Sequence, residues 1–192
     1  MKQDIILAGV GGQGILSIAT IIGEAATKAG VNLKQAEVHG MSQRGGDVQS
    51  NLRLSTEQIC SDLIAKGKAD IIIAMEPMEA LRYVQYLSKD GCIVTSSTPF
   101  VNIPNYPEKE DILKELGSFP NVAKLDIEAI AAETGNPKGS NMFLMGMAAP
   151  YIKVLTPEQL RAAIGTIFAA KGEAVVEANL KAFDEGYKSV AK

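Results

Sequence analysis

Residues 4–26, DIILAGVGGQGILSIATIIGEAA, allow few folds. A short apolar run meets four glycines, Gly9, Gly11, Gly12 and Gly14, and an apolar, alanine-rich segment follows. The run over 4–8 reads as a buried strand, and 15–29 as a helix stopped at Gly30. A tight strand-to-helix turn of this kind opens an α/β domain. The later segments keep the rhythm. Strands are expected at 31–39, 47–55, 69–75, 91–97 and 122–126, with Val48, Ser50, Leu52 and Leu54 sharing one face of the third. Helices are expected at 78–87, 108–116, 127–133, 141–152, 158–168 and 173–189, the one at 141–152 with Gly146, Ala148 and Ala149 for close packing.

Two capping boxes stand out. Ser55 with Gln58 predicts a short helix toward Lys66, and Thr156-Pro157-Glu158-Gln159 combines a cap, a first-turn proline and a capping glutamine. Glu76-Pro77 suits another helix start. Strands separated by helices give a three-layer α/β fold, a largely parallel sheet between helices with a Rossmann-like first βαβ unit. At 192 residues, without repeat or linker, one domain spanning 1–192 is expected.

Gly9, Gly11 and Gly14 satisfy G-x-G-x-x-G in the strand-to-helix context that dinucleotide binding requires. There, glycine backbone and helix N-terminus together face a pyrophosphate. The acidic residue for the ribose has one candidate, Glu37, 23 positions after Gly14. The same glycines would serve any tight first turn, so a self-sufficient NAD(P)- or flavin-binding Rossmann oxidoreductase module stays open. A regulatory binding module without a redox partner is a third reading.

A second constellation, EVHGMSQRGGDVQSNLR over 37–53, gathers Ser42, Gln43, Arg44, Gly45 and Gly46 in a loop after a strand. Hydroxyl, amide, guanidinium and backbone N–H donors could hold a phosphate, a carboxylate or a partner's acidic loop. A glycine-rich hairpin with a solvated arginine is the plainer alternative. His39 is either a packed strand-end residue or a base.

Composition narrows the classes. Apolar residues make up 46 % and charged ones 21 %, and the net charge is -3, so neither nucleic acid nor an anionic membrane is favoured as partner. Charged or turn residues interrupt every apolar run well short of a membrane span. With no secretory pattern at the start, the expected location is cytoplasmic. Two cysteines, Cys60 and Cys92, and one histidine cannot supply the four ligands of an iron-sulfur cluster or a structural zinc, so no metal site is expected here; both thiols are read as buried and free.

The runs GVGGQGILS (9–17), EVHGMSQRGGDVQSNLRL (37–54), ADIIIAMEPMEALR (69–82), NPKGSNMFLMGM (136–147) and NLKAFDEGY (179–187) together resemble the gamma-type subunit of 2-oxoacid:ferredoxin oxidoreductases. Within that group the chain looks closest to the small (beta) subunit of indolepyruvate ferredoxin oxidoreductase, with the ketoisovalerate and 2-oxoglutarate branches near. The resemblance implies oxidative decarboxylation of a 2-oxoacid, acyl transfer to coenzyme A and electrons to ferredoxin. It places thiamine diphosphate with Mg2+ and the [4Fe-4S] clusters on a large partner subunit, since this chain lacks a Gly-Asp-Gly diphosphate motif. No catalytic residue is expected here. Gly9, Gly11, Gly12, Gln13 and Gly14, with Ser42 to Gly46, are the implied coenzyme A contacts. Glu76 and Arg82 also match, with a helix-start carboxylate and an ion pair to Glu79 as their simple reading.

Overall fold

The computed structural model describes residues 1–39, 45–133 and 136–190. Six strands form one sheet: β1 (Lys2–Val10), β2 (Asn32–His39), β3 (Asp47–Ser55), β4 (Ala69–Ala74), β5 (Leu87–Ser96) and β6 (Val122–Leu125). All six expected strands are present. Their spatial order is β2-β3-β1-β4-β5-β6. β1, β4, β5 and β6 pair parallel, while β3 runs antiparallel to both β1 and β2. The sheet is thus largely parallel, and β3 alone is reversed. The first β-α-β unit lands β2 one strand away from β1.

The helices are α1 (Ile15–Lys28), α2 (Pro77–Arg82), α3 (Lys109–Leu116), α4 (Ile127–Glu133), α5 (Ser140–Ala148), α6 (Pro157–Phe168) and α7 (Glu173–Val190). Alternation along β1 explains the three layers. Ile5 and Leu7 join a core with α1, α5, α6 and α7, whereas Ile6 and Ala8 face the opposite way onto α2 and α3. Leu52 and Leu54 of β3 lie in the first core as their alternation predicts, with Ser50 buried and Val48 packed at its margin.

The two capping boxes diverge. At α6, Thr156 accepts from the Gln159 N–H and the Gln159 side chain accepts from the Thr156 N–H, so the box forms in full. Ser55 opens no helix: it ends β3, and its Oγ accepts from the Glu57 N–H only two residues on, at 2.9 Å. A tertiary contact wins here. Arg53 holds the buried Asp4 through two hydrogen bonds of 2.8 and 3.2 Å, and its remaining nitrogen donates to the carbonyls of Ser61 and Leu63. The loop 56–68 is thereby drawn onto the strand pair instead of coiling. The expected 78–87 helix is also shorter, α2 giving way to a single 3-10 turn at Val84–Tyr86.

α5 and α7 cross at glycines. A Cβ on Gly146 would lie 2.1 Å from the Phe183 carbonyl oxygen, and one on Gly186 would lie 2.0 Å from the Phe143 carbonyl oxygen. Backbone meets backbone, as the small residues of that segment suggested. Gly146→Ala and Gly186→Ala should each destabilise the chain by about 3 kcal/mol or more, since the helices must separate to admit a methyl group. Gly165 of α6 has nothing within 4 Å of its would-be Cβ, so Gly165→Ala should stabilise by about 0.5–1 kcal/mol. Urea denaturation of the three variants should show these opposite signs.

The two thiols differ, correcting the expectation that both are buried. Cys92 is buried in β5, and burial pushes its thiol up to about 12, whereas Cys60 is exposed on the 56–68 loop. A maleimide at pH 7 should label one thiol per native chain, and Cys60→Ser should abolish that labelling, as read by intact mass.

Candidate functional site

The carboxyl end of β1 carries the glycine loop, as open α/β sheets place their sites. Gly9 still lies inside the strand, opposite Val48 of β3. Beyond Val10 the chain needs left-handed backbone, with φ of 104° at Gly12 and 79° at Gly14. Gly14 is the N-cap residue of α1 and brings no side-chain cap; its carbonyl accepts from the Ser17 N–H at 3.1 Å, and the Ile15 and Leu16 N–H groups receive no side-chain cap. A Cβ there would meet Asn141 Nδ2 at 2.8 Å, and that nitrogen donates to the Gly14 carbonyl. The third glycine therefore admits a side chain of α5. Gln13 folds back, its Oε1 accepting from the Val10 N–H at 2.8 Å, so its carbonyl oxygen serves the turn itself.

The second glycine pair arrives alongside. Gly11 N–H donates to the Gly46 carbonyl at 2.8 Å, and Gly45 N–H donates to the Gly11 carbonyl at 3.5 Å. Two loops that are 35 residues apart in sequence, taking Gly11 and Gly46, thus share one backbone seam. Ser42, Gln43 and Arg44 lie outside the described residues. Asn102, in the loop after β5, donates from Nδ2 to the Gly45 carbonyl at 2.8 Å.

Two clefts share Gly12 and Gly14. One, of about 420 Å³, is bounded by Gln13, Met75, Phe100, Glu128, Lys138 and Asn141 among others. The other, of about 280 Å³, runs along the first turn of α1 as far as Ser17 and Val48. Glu128 is held by the Ser96 hydroxyl, which donates to its Oε2 at 2.6 Å. Volume alone does not choose the site. A hollow of about 560 Å³, lined by Asp70, Asp90, Cys92 and Lys153 among others, opens at the opposite edge of the sheet, away from the glycine seam.

Glu76 and Arg82 take the structural parts expected of them. Glu76 is the N-cap of α2, accepting from the Glu79 N–H at 2.8 Å, and Arg82 pairs with the buried Glu79 at 2.9 Å. Burial raises the Glu76 carboxyl above the ordinary carboxylate range, even though the Tyr106 hydroxyl and two backbone N–H groups donate to it and pull the other way. The Tyr106 hydroxyl is pushed up by desolvation and by that carboxylate. Sequence pattern gave no sign of Phe100, Asn102 or Tyr106, which sit in a loop without periodicity.

Glu37 is exposed on edge strand β2, where it accepts from Gln35 Nε2. β3 lies between it and β1, so it is two strand spacings, about 10 Å, from the strand bearing the glycine loop. The ribose-binding position of a dinucleotide fingerprint, beside the first strand, is taken by β3. Among the described residues no three of His, Cys, Asp and Glu gather in a metal-binding group, and none of the helices is long and apolar enough to cross a membrane.

The sequence matches the family described as pyruvate ferredoxin/flavodoxin oxidoreductase over residues 4–189. Similar curated proteins include indolepyruvate oxidoreductase subunit IorB of Pyrococcus horikoshii, 37 % identical with 98 % of this chain and 96 % of that protein covered, and its Archaeoglobus fulgidus counterpart, 35 % identical with 97 % and 94 % covered. The fold is shared with the gamma subunit of a keto/oxoacid ferredoxin oxidoreductase from Geobacter sulfurreducens, TM-score 0.69 at 23 % identity over 98 % of each chain. It also matches a 2-oxoglutarate:ferredoxin oxidoreductase from Magnetococcus marinus, solved with 2-oxoglutarate, coenzyme A and succinyl-CoA bound, with TM-score 0.76 and 21 % identity; there this chain covers 98 % of itself and 31 % of that longer chain. A match over nearly every residue, with the glycine loops in place, makes the chain a member of the pyruvate ferredoxin/flavodoxin oxidoreductase family, a small subunit of a 2-oxoacid:ferredoxin oxidoreductase.

Proposed function

We propose that the chain is a single gamma-type domain serving an indolepyruvate-type oxidoreductase, and that its glycine seam holds the phosphates of coenzyme A. The observation that carries this reading is the Gly11–Gly46 backbone bond beneath the uncapped start of α1, which assembles flexible backbone and a helix N-terminus into one anion-facing edge. Coenzyme A in the Magnetococcus structure supports it. The overall reaction consumes a 2-oxoacid, coenzyme A and two oxidised ferredoxins, and yields CO2, an acyl-CoA, two reduced ferredoxins and a proton.

This chain's own residues do not fit the redox groups. Cys92 is buried in a strand and Cys60 stands on a surface loop, so no set of thiolates converges. In this reading thiamine diphosphate with Mg2+ and the [4Fe-4S] clusters sit on a large partner subunit, where they would supply the decarboxylation and electron-transfer chemistry. What remains here is binding and orientation. Phosphates suit the Gly12–Gly14 end, while Glu128 in the same lining suits an amide N–H of the ligand's arm and would repel a second anion. Lys138 adds a cation to the lining.

The purified chain alone should be colourless and without oxoacid-dependent ferredoxin reduction, with activity appearing when the large subunit is added. Full turnover by this chain alone, with an iron-sulfur absorbance, would refute the division of labour.

Arg44 is the sharper test of the phosphate reading. A charge-assisted bond from its guanidinium to a phosphate is worth about 1.5–3 kcal/mol, so Arg44→Ala in the assembled enzyme should raise the KM for coenzyme A about 10- to 100-fold and leave kcat nearly unchanged. Size-exclusion chromatography must show the complex intact. An intact complex with unchanged KM removes Arg44 from the site.

A further inference from the structure

The residue choice at position 76 asks for an explanation beyond capping. Ser, Thr, Asp and Asn cap helices with shorter side chains, yet here a glutamate does it at 1 % exposure, where a carboxylate is costly to bury. Its second oxygen supplies the reason. While Oε2 accepts from the Glu79 N–H, Oε1 accepts from the Phe100 N–H at 3.3 Å and from the Tyr106 hydroxyl. Both ends of the segment 100–106 are thereby tied to the end of β4.

Between those anchors Asn102 donates to the Gly45 carbonyl, and the Gly45–Gly46 pair is bonded to Gly11 on both sides. Phe100, nearly half exposed at 47 %, lines the same cleft that Gly12 and Gly14 border. One buried carboxylate thus sits at the root of contacts that reach Gly11, next to Gly12 of the cleft, and Phe100 in its lining, without lining the cleft itself.

We propose that Glu76 is a positioning residue, which through the 100–106 strap fixes Gly45–Gly46 against Gly11 and holds Phe100 at the cleft wall. The proposal rests on that cleft being the ligand site and not on the identity of the ligand. Its elements are separable, because Tyr106→Phe and Asn102→Ser cut the strap at two places and leave the cap on α2 intact.

Amide exchange by NMR on the full 192-residue chain reads the effect directly. In either variant the Gly11 and Gly45 amides should exchange about 10-fold faster, roughly the effect of one lost hydrogen bond, while the β4 amides stay protected. The double variant should add little, since both changes act along one path. Glu76→Gln should give the same local pattern. In the assembled oxidoreductase, Asn102→Ser should raise the KM for coenzyme A several-fold at nearly constant kcat.

The outcomes divide cleanly. Faster exchange at Gly11 and Gly45 with an unchanged KM upholds the positioning and overturns coenzyme A as the ligand. Unchanged exchange at those glycines overturns the positioning, and so does acceleration that spreads evenly into β4, which would make the strap a general stabiliser.

Discussion

The antiparallel pairing of β1 with β3 decides where everything at the cleft can be. Because β3 runs against β1, the segment that enters β3 reaches the sheet at the edge where β1 leaves it. The register from Lys2–Ser55 to Val10–Asp47 then sets Gly46 beside Gly11. A parallel β3 would deliver its leading loop to the opposite edge, and the two glycine loops would never meet. The register is fixed by burial: a slip of one residue would turn Leu52 and Leu54 out of the α1-side core. The same insertion pushes β2 to the edge and takes Glu37 away from the nucleotide position.

Much of this was legible in the chain, and the limits have physical causes. Strand and helix positions follow from local periodicity, which is why all six strands, the Thr156 box and the Glu76-Pro77 start could be read directly. Periodicity says nothing about which strand lies next to which, so the insertion of β3 was invisible. The Ser55 box failed because its signal is worth about 1 kcal/mol and Arg53 competes for the carbonyls of the same loop. The glycine loops were found through their residue types. Asn102 and Tyr106 were missed because their partners lie 57 and 30 residues away, and a proline-rich loop has no pattern from which to infer them.

The interior contains two acidic anchors that answer the same structural need. Asp4, near the start of β1, holds Arg53 and through it the 56–68 loop, while Glu76, at the end of β4, holds the strap after β5. Apolar burial in these loops is limited to a few side chains, Ile59 and Ile64 in the first and, in part, Tyr106 in the second. A buried acceptor with several donors gives each a defined geometry, and breaking either set would leave a carboxylate stranded, a heavier penalty than an empty apolar contact. The Asp4 cluster is an ion pair, whereas the donors named at Glu76 are neutral, and burial holds the Glu76 carboxyl above the ordinary range despite them.

The glycine crossing of α5 and α7 bears on how the molecule is made. Asn141 of α5 reaches the Gly14 carbonyl, and α5 is itself clamped by Gly186 of α7. During synthesis the sheet strands emerge well before residues 173–190, so a nascent chain can complete its sheet while α5 still lacks the helix that seats it. The cleft's α5 wall then acquires its backing only after translation of α7.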